Sequence, residues 1–282
     1  MSVLTALVPE RFRFTDLMAS NTERNLIVSI IVIAANAFRE AIRDRILYNL
    51  VVFALLVIAS AILLKDLTDG QEGRTIVNIG LTAMLFFGVF ISIFVGVGLV
   101  SKEIEKRTVY SIFSKPVRRS EFIIGKYLGL CLTLALNVAV MGMGLTLALA
   151  FVGSTTLAAN IWPAIFLIFL ELMVMTGVAM VFSTFSSPAL SALLSFLVFV
   201  IGHLSSSLRD LGETLGSQVS KVVFDAIYFV LPNLSLFTFR TEAAAGLIPS
   251  ANMLGYSALY AFLYIVVLLG IAVMVFQKRN FK

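Results

Sequence analysis

Few side chains in this sequence could carry out catalysis, and those few do not combine into a catalytic set. The chain contains one histidine, His203, and one cysteine, Cys131, which lies in an apolar run. A lone histidine and a lone cysteine exclude histidine-based metal sites, conventional Ser-His-Asp triads and a disulfide framework. We therefore expect a protein that is not an enzyme and that holds no metal or cofactor of its own.

Residues 125–127 look at first like the end of a phosphate-binding loop. Gly125-Lys126 is followed by Tyr127, where such a loop needs Ser or Thr, and position 120 lacks the required glycine. This mismatch excludes a nucleotide site of that kind. Gly125 and Gly129 instead form a small-xxx-small pair, which predicts that a second helix packs closely against this stretch.

Glu171 is the acidic residue that lies deepest in an apolar run. Placing a carboxylate near the bilayer centre costs roughly 3 kcal/mol, so Glu171 should face protein or water and be protonated. Its role stays open between contact with a substrate or proton and a hydrogen-bonded contact between helices. Asn137 is a second polar residue within an apolar run and a second candidate for a substrate path. The runs contain no chain of carboxylates, which argues against a pump driven by an ion gradient.

The most highly charged stretch, residues 101–126, lies between two long apolar runs. Its excess of cations over acids is typical of a loop that stays in the cytoplasm; the residues are Lys102, Lys106, Arg107, Lys115, Arg118, Arg119 and Lys126 against Glu103, Glu105 and Glu121. Pro116 predicts a corner after a short helix. Ser120 predicts the cap of a new helix that begins at Glu121 and continues into the next apolar run. The stretch is either a docking site or a solvated anchor that only sets the topology.

These residues must be positioned by membrane-spanning helices. The chain has 282 residues, of which 60% are hydrophobic and 13% charged, and its mean hydropathy is +1.01, which indicates an all-α integral membrane protein of one domain. The net charge of +5 lies beside the apolar runs, where it meets lipid headgroups, so nucleic acid is not an expected partner. We predict a cytoplasmic tail at 1–25, an amphipathic interfacial helix at 26–45, and a domain at 46–282 with six spans at about 46–64, 76–100, 127–152, 162–182, 189–208 and 254–276.

The predicted topology has both termini in the cytoplasm. Six spans place the termini on one side, and most of the Lys and Arg residues lie on that side. Before the sixth span, residues 222–239 are apolar but are interrupted by Pro232 and Asn233. A seventh span would put Asp225 and a proline in lipid. We therefore favour two half-helices that re-enter the outer leaflet, with Pro232 and Asn233 at the break.

The loop at 101–126 resembles the corresponding loop in permease subunits of ABC-2 type exporters. The shared pattern is an acidic-basic cluster, a short apolar helix, a proline corner, and then basic, acidic, apolar and Gly-Lys positions; the matching residues are Glu103, Glu105, Lys106, Thr108, Ser114, Pro116, Arg118, Arg119, Glu121, Phe122, Gly125 and Lys126. The resemblance extends to AFREAIRDR ahead of the first span and to Leu-Pro-Asn before the last. It is closest to the branch named for multi-copper enzyme maturation. Arg107 departs from the glycine that many members carry.

This resemblance implies a type V exporter fold in the bacterial inner membrane. Two permeases, usually a homodimer, would each stand on one ATP-binding subunit, and those two subunits would bind ATP and Mg. The coupling residues would be Arg39, Arg43, Glu103, Glu105, Lys106, Arg107, Thr108, Pro116, Arg118, Arg119, Glu121 and Lys126. The implied function is ATP-driven export, with accessory periplasmic or membrane proteins as further partners. Because the spans are apolar, we expect a hydrophobic or amphiphilic substrate rather than an ion.

Two alternatives to the exporter interpretation remain. The first is a membrane scaffold that docks a cytoplasmic partner without transporting anything. The second is a membrane-embedded enzyme that uses Glu171 as its acid or base, although the sequence offers Glu171 no catalytic partner.

Overall fold

The computed structural model describes residues 26–43, 71–105, 119–214 and 230–278, together with residues 52, 53, 56, 57, 59 and 228. All regular secondary structure within these residues is helical, which confirms the predicted all-α class. The α-helices are α1 Leu26–Arg43, α2 Glu72–Glu105, α3 Arg119–Phe151, α4 Thr155–Asn160, α5 Trp162–Phe185, α6 Pro188–Thr214, α7 Arg240–Ala244 and α8 Ala251–Lys278. A short 3-10 helix, Leu234–Phe237, precedes α7.

Helix α5 forms the centre of the bundle because it is apolar on every face. Glu171 is its single charged residue, and 72% of its apolar stretch is buried. A helix that is hydrophobic all round is typical of a buried position. Accordingly α5 packs against α2, α3, α6 and α8, and the core of the protein lies around it.

Glycine and small hydroxyl side chains bring α2 close to the central helix. A Cβ atom on Gly88 would lie 2.5 Å from a methyl carbon of Leu172, so a larger residue at position 88 would require the Leu172 side chain to shift. One turn further on, the hydroxyls of Ser92 and Thr176 lie 3.0 Å apart and are both buried. Small residues and interhelical hydroxyl bonds are the usual means of packing helices in lipid, where burial itself supplies no driving force.

Helix α8 is attached to the bundle along one face only. Its buried residues recur every three or four positions and so form a single stripe: Ser257, Ala261, Ile265, Leu268, Ala272 and Phe276. Only 28% of its apolar stretch is buried, against 72% for the stretch that includes α5. The remaining faces of α8 are apolar and exposed, as expected for a helix that borders lipid.

Four stretches of the described chain are long and apolar enough to cross a membrane. They are Glu72–Gly98, Arg119–Phe151, Thr155–Phe185 and Ala251–Lys278. The apolar part of α6, Pro188–Leu204, is shorter. Of the predicted first span, 46–64, only a few residues are described, and Phe53 is one of them, packed edge-on against Phe87 of α2. The count of six spans therefore stays a prediction.

The charged loop differs in one respect from the sequence prediction. Helix α2 continues to Glu105, inside the loop, and α3 begins at Arg119. The prediction that Ser120 caps a helix starting at Glu121 was wrong, because Ser120 already lies in the first turn and the cap position therefore precedes Arg119. The proline corner at Pro116 and the rest of residues 106–118 lie outside the described residues.

The chain leaves the helical conformation at residues 231–233, around Pro232 and Asn233. The 3-10 helix and α7 follow, and α7 packs against α2. Residues 230–250 are all described and contain no continuous span. Residues 222–227, which make up the first part of the predicted re-entrant segment, lie outside the described residues.

Candidate functional site

The end of the charged loop lies against helix α1. A Cβ atom on Gly125 would lie 2.7 Å from Ile33, and one on Gly129 would lie 2.5 Å from the carbonyl oxygen of Ala34. Both glycines are buried. The close packing predicted for this small-xxx-small pair is therefore confirmed, and the helix that occupies the groove is α1.

An ion pair fastens the same two helices. Lys126 Nζ lies 3.3 Å from Glu40 Oε2, with the lysine side chain 7% exposed and the glutamate 49% exposed. The lysine also lies 5.8 Å from the ring centroid of Phe122, within cation–π range. The sequence analysis did not include Glu40 among the coupling residues. Its position between Arg39 and Arg43 on the predicted interfacial helix could have indicated that Glu40 belongs to the same set.

Arg119 connects the loop to the last helix. Its Nη1 donates hydrogen bonds to the carbonyl oxygens of Phe276 at 3.2 Å and Gln277 at 2.8 Å. These carbonyls are in the last turn of α8, where helices leave carbonyl groups without internal partners and where a cation is favourable. One turn along α3, the ring of Phe122 stacks on that of Phe276 at 5.9 Å. We call Glu40, Arg119, Phe122, Lys126 and Phe276 the junction, because they join α1, α3 and α8 where the loop ends.

The structure describes only part of the predicted coupling set. Arg119 and Lys126 come together in the junction. Glu121 is buried within this chain at 2% exposure, whereas Arg39 is exposed on α1. Arg43, Glu103 and Glu105 lie in helices, but their side chains are outside the described set, as are all of Lys106, Arg107, Thr108, Pro116 and Arg118.

A second polar cluster lies within the bundle, between α5 and α6. Glu171 is 1% exposed, and its Oε1 lies 3.4 Å from Nε2 of His203. Neither atom makes a well-formed hydrogen bond. The other ring nitrogen of His203, Nδ1, lies 3.2 Å from the carbonyl oxygen of Phe199. Because a carbonyl can only accept, Nδ1 carries a proton and Nε2 of the neutral ring is an acceptor.

The two facing atoms can form a hydrogen bond only with one proton between them. Without a further proton, Glu171 Oε1 and His203 Nε2 would both be acceptors, and with two they would both be donors. One shared proton satisfies both atoms and leaves the pair neutral overall, whichever atom carries it. Burial favours a neutral pair, since a buried charge is costly, and the cation of Arg240 also acts electrostatically on both side chains. The pair thus has the properties of a contact between helices.

Asn137 makes its hydrogen bond within its own helix. Its Nδ2 donates to the Thr133 carbonyl oxygen at 2.8 Å, while its Oδ1 is buried without a hydrogen-bond partner in the described part of the chain. Asn137 therefore contributes a buried acceptor to α3, and no hydrogen bond within the described residues connects it to Glu171.

The segment of residues 230–239 is anchored by the first half of α8. The backbone N–H of Asn233 donates to Tyr260 Oη at 2.8 Å, and Tyr264 Oη donates to the Val230 carbonyl oxygen at 2.8 Å. A third bond runs from Ser257 Oγ to the Leu236 carbonyl oxygen at 3.2 Å. On the opposite side, Gly202 of α6 lies against the Pro232 carbonyl oxygen and Leu234, because a Cβ atom there would come within 2.7 Å of that oxygen.

These bonds show how the irregular backbone of this segment is satisfied. Two tyrosines and a serine of α8 supply hydrogen-bond partners for its peptide groups. The break at Pro232 and Asn233 was predicted from the sequence, whereas its anchors were not. The signal was the recurrence of tyrosine every four residues in the last span, at Tyr256, Tyr260 and Tyr264, which places three hydroxyls on one side of a helix.

The Glu40–Lys126 pair should contribute measurably to the packing of α1 on α3. We expect Glu40→Gln and Lys126→Gln each to lower the unfolding free energy in detergent by about 1 kcal/mol, and the double variant to lower it by about 0.5 kcal/mol less than the sum. Arg39→Gln, at an exposed position of the same helix, is the matched control and should change stability by less than about 0.5 kcal/mol. Fully additive single effects would show that the two side chains do not interact.

Comparison with known proteins gives one result. A family model described as "ABC-2 family transporter protein" matches residues 31–281, which includes every residue of the junction, of the 230–239 segment and of the Glu171–His203 pair. No protein in the curated set matches the chain.

Proposed function

Since the chain belongs to the ABC-2 family of transporter proteins, we propose that it is the membrane subunit of an ATP-driven exporter that works with a separate ATP-binding subunit. The family match supports a permease and a membrane location. The four long apolar helices of the described chain agree with a membrane protein that crosses the bilayer several times. The direction of transport, the identity of the partner and the substrate are parts of the proposal.

The junction is the observation that carries this proposal. A partner that moves a loop can drive transport only if the loop is fastened to the helices that must move. The end of the 101–126 loop meets that requirement, because Lys126 pairs with Glu40 of α1 and Arg119 bonds to the end of α8. A displacement of the loop would therefore be applied to three helices together, with little of it absorbed by independent side-chain motion.

The proposed assembly contains two permeases and two ATP-binding subunits. The permeases would form a homodimer in the bacterial inner membrane, with both termini and the 101–126 loop in the cytoplasm. The partner subunits would bind ATP and Mg and contact the permease through α1 and the loop, at Arg39, Arg43, Glu103, Glu105, Lys106, Arg107, Thr108, Pro116 and Arg118. Glu121 is buried, so its part in coupling would be to hold the start of α3 in place.

The proposed substrate is hydrophobic or amphiphilic. Most of the large side chains that the bundle exposes on its lateral faces are apolar, including Phe86, Phe90 and Phe94 along one side of α2. The most deeply buried carboxyl among the described residues, that of Glu171, already faces His203. An ion would find few ligands along such walls, whereas a lipid-linked or peptide-like cargo would be compatible with them.

Co-purification with an ATP-binding subunit encoded by a neighbouring gene tests the proposal and separates it from the scaffold alternative. We expect the two proteins to purify together, and Glu103→Ala and Arg118→Ala each to weaken binding about tenfold, as for central interface residues. Arg74→Ala is the matched control, since Arg74 is exposed near the opposite end of α2. Equal effects of all three variants, or no complex, would contradict the proposal. A complex whose ATP turnover never responds to the permease would favour the scaffold.

A further inference from the structure

Helix α8 makes polar contacts with both of the regions described above. Near its end, the carbonyl oxygens of Phe276 and Gln277 accept hydrogen bonds from Arg119 of the junction. In its first half, Ser257, Tyr260 and Tyr264 bond to the backbone of the 230–239 segment. From Tyr260 to Phe276 the helix rises about 24 Å at 1.5 Å per residue, so it links points on the two sides of the bundle.

The contacts of α8 with the rest of the bundle are compatible with a helix that links the two regions. One stripe of the helix is buried, and half of the residues in that stripe are small, namely Ser257, Ala261 and Ala272. Midway along, Leu268 lies over Gly177 of α5, where a Cβ atom would come within 2.9 Å of it. Between its two polar ends α8 is therefore held by apolar contacts, and the described residues between Tyr264 and Phe276 make no side-chain hydrogen bond to another helix.

The contacts at the two ends of α8 are polar, whereas those of its middle portion are apolar. Arg119 contributes two charge-assisted bonds, which are stronger and more directional than neutral ones. At the other end, Tyr260 accepts a hydrogen bond from the backbone of Asn233 and Tyr264 donates one to the backbone of Val230, so the two tyrosines bond on either side of Pro232. A continuous helix transmits a displacement along its axis with little loss, whereas the irregular segment it holds can be repositioned.

We propose that α8 is the element that couples the junction to the 230–239 segment, with Arg119 at one end and Tyr260 and Tyr264 at the other as positioning residues. Displacing the start of α3 shifts α8, and α8 carries the break at Pro232 and Asn233 with it. This inference builds on the proposed function, in which the loop is the part that moves. The coupling itself is a property of this chain and can be measured without any partner.

Amide hydrogen exchange on the purified chain in nanodiscs tests the coupling. We expect Arg119→Gln to accelerate exchange in residues 231–239 about threefold, the change that corresponds to weakening one interhelical hydrogen bond. Arg39→Gln, the same substitution at an exposed position of α1, should leave that segment unchanged. In a Tyr260→Phe/Tyr264→Phe background, adding Arg119→Gln should have no further effect on residues 231–239, since the link is already broken.

The reverse experiment covers the case in which Arg119→Gln does not fold. Coupling between two sites is reciprocal, so Tyr260→Phe should accelerate exchange at the start of α3, in residues 121–126. Tyr256→Phe is the matched control, because Tyr256 is on the same helix and its side chain is 75% exposed. Local effects at each end that never reach the other end, or fully additive effects in the triple variant, would overturn the proposal and leave the permease assignment untouched.

Discussion

Replacing Gly129 with leucine is expected to separate α1 from α3 and to cost at least about 3 kcal/mol of unfolding free energy, at the upper end for overpacked sites. Even the first carbon of a new side chain would lie 2.5 Å from the Ala34 carbonyl oxygen and 2.6 Å from the Ala37 methyl group. Because the first obstacle is backbone, a rotamer change cannot relieve it. The ion pair between Glu40 and Lys126 should be lost as α1 moves away.

Gly144→Leu provides a matched control on the same helix. No atom of a neighbouring described residue lies within 4 Å of a Cβ atom placed on Gly144, so the substitution there should change stability by less than about 0.5 kcal/mol. Unfolding free energy in detergent and ATP turnover with the partner subunit are the two measurements. Equal stability of the two variants would show that α1 does not occupy the groove at Gly125 and Gly129.

Glu171→Leu is the second substitution with a large expected effect, and Glu171→Gln should be tolerated. Leucine removes the partner of His203 Nε2 and leaves a buried acceptor, at a cost of about 1–3 kcal/mol. Glutamine can donate an N–H to that nitrogen, because the bond from Nδ1 to the Phe199 carbonyl oxygen leaves Nε2 as the acceptor. The amide should therefore replace the shared proton and preserve stability within about 1 kcal/mol.

This pair of variants separates the roles left open for Glu171. A helix contact predicts that Glu171→Gln keeps both stability and ATP-driven activity, while Glu171→Leu loses stability. The double variant Glu171→Leu/His203→Leu should recover part of the loss, since no acceptor is then left without a donor. A stable Glu171→Gln protein that has lost transport would instead show that the carboxyl contacts a substrate or exchanges its proton during the cycle.

Local patterns in the sequence were sufficient to predict much of the fold. Continuous apolar runs predicted an all-helical membrane protein, and the small residues at Gly125 and Gly129 predicted a groove for another helix, which α1 occupies. Both signals depend only on residues near one another in the chain. The start of α3 was misplaced by two residues because Arg119 and Ser120, which suit a loop by composition, are part of the first helical turn.

Contacts between residues that are far apart in the sequence could not be predicted in this way. Lys126 and Glu40 are 86 residues apart, and Arg119 reaches a carbonyl group 157 residues away. Periodicity shows which face of a helix is polar or apolar but not which helix lies opposite. For the same reason the sequence did not reveal that His203 lies against Glu171. A buried carboxyl in a span implies a partner, but only the packing of α6 on α5 identifies it.

ATP hydrolysis by the partner subunit, measured alone and in complex with this chain in nanodiscs, tests the central claim most directly. If the chain is an ABC permease coupled through the junction, its presence should change the turnover rate several-fold, and Gly129→Leu should remove that change while Gly144→Leu keeps it. A turnover rate that is the same with and without the chain, in a complex shown to be intact, would contradict the account.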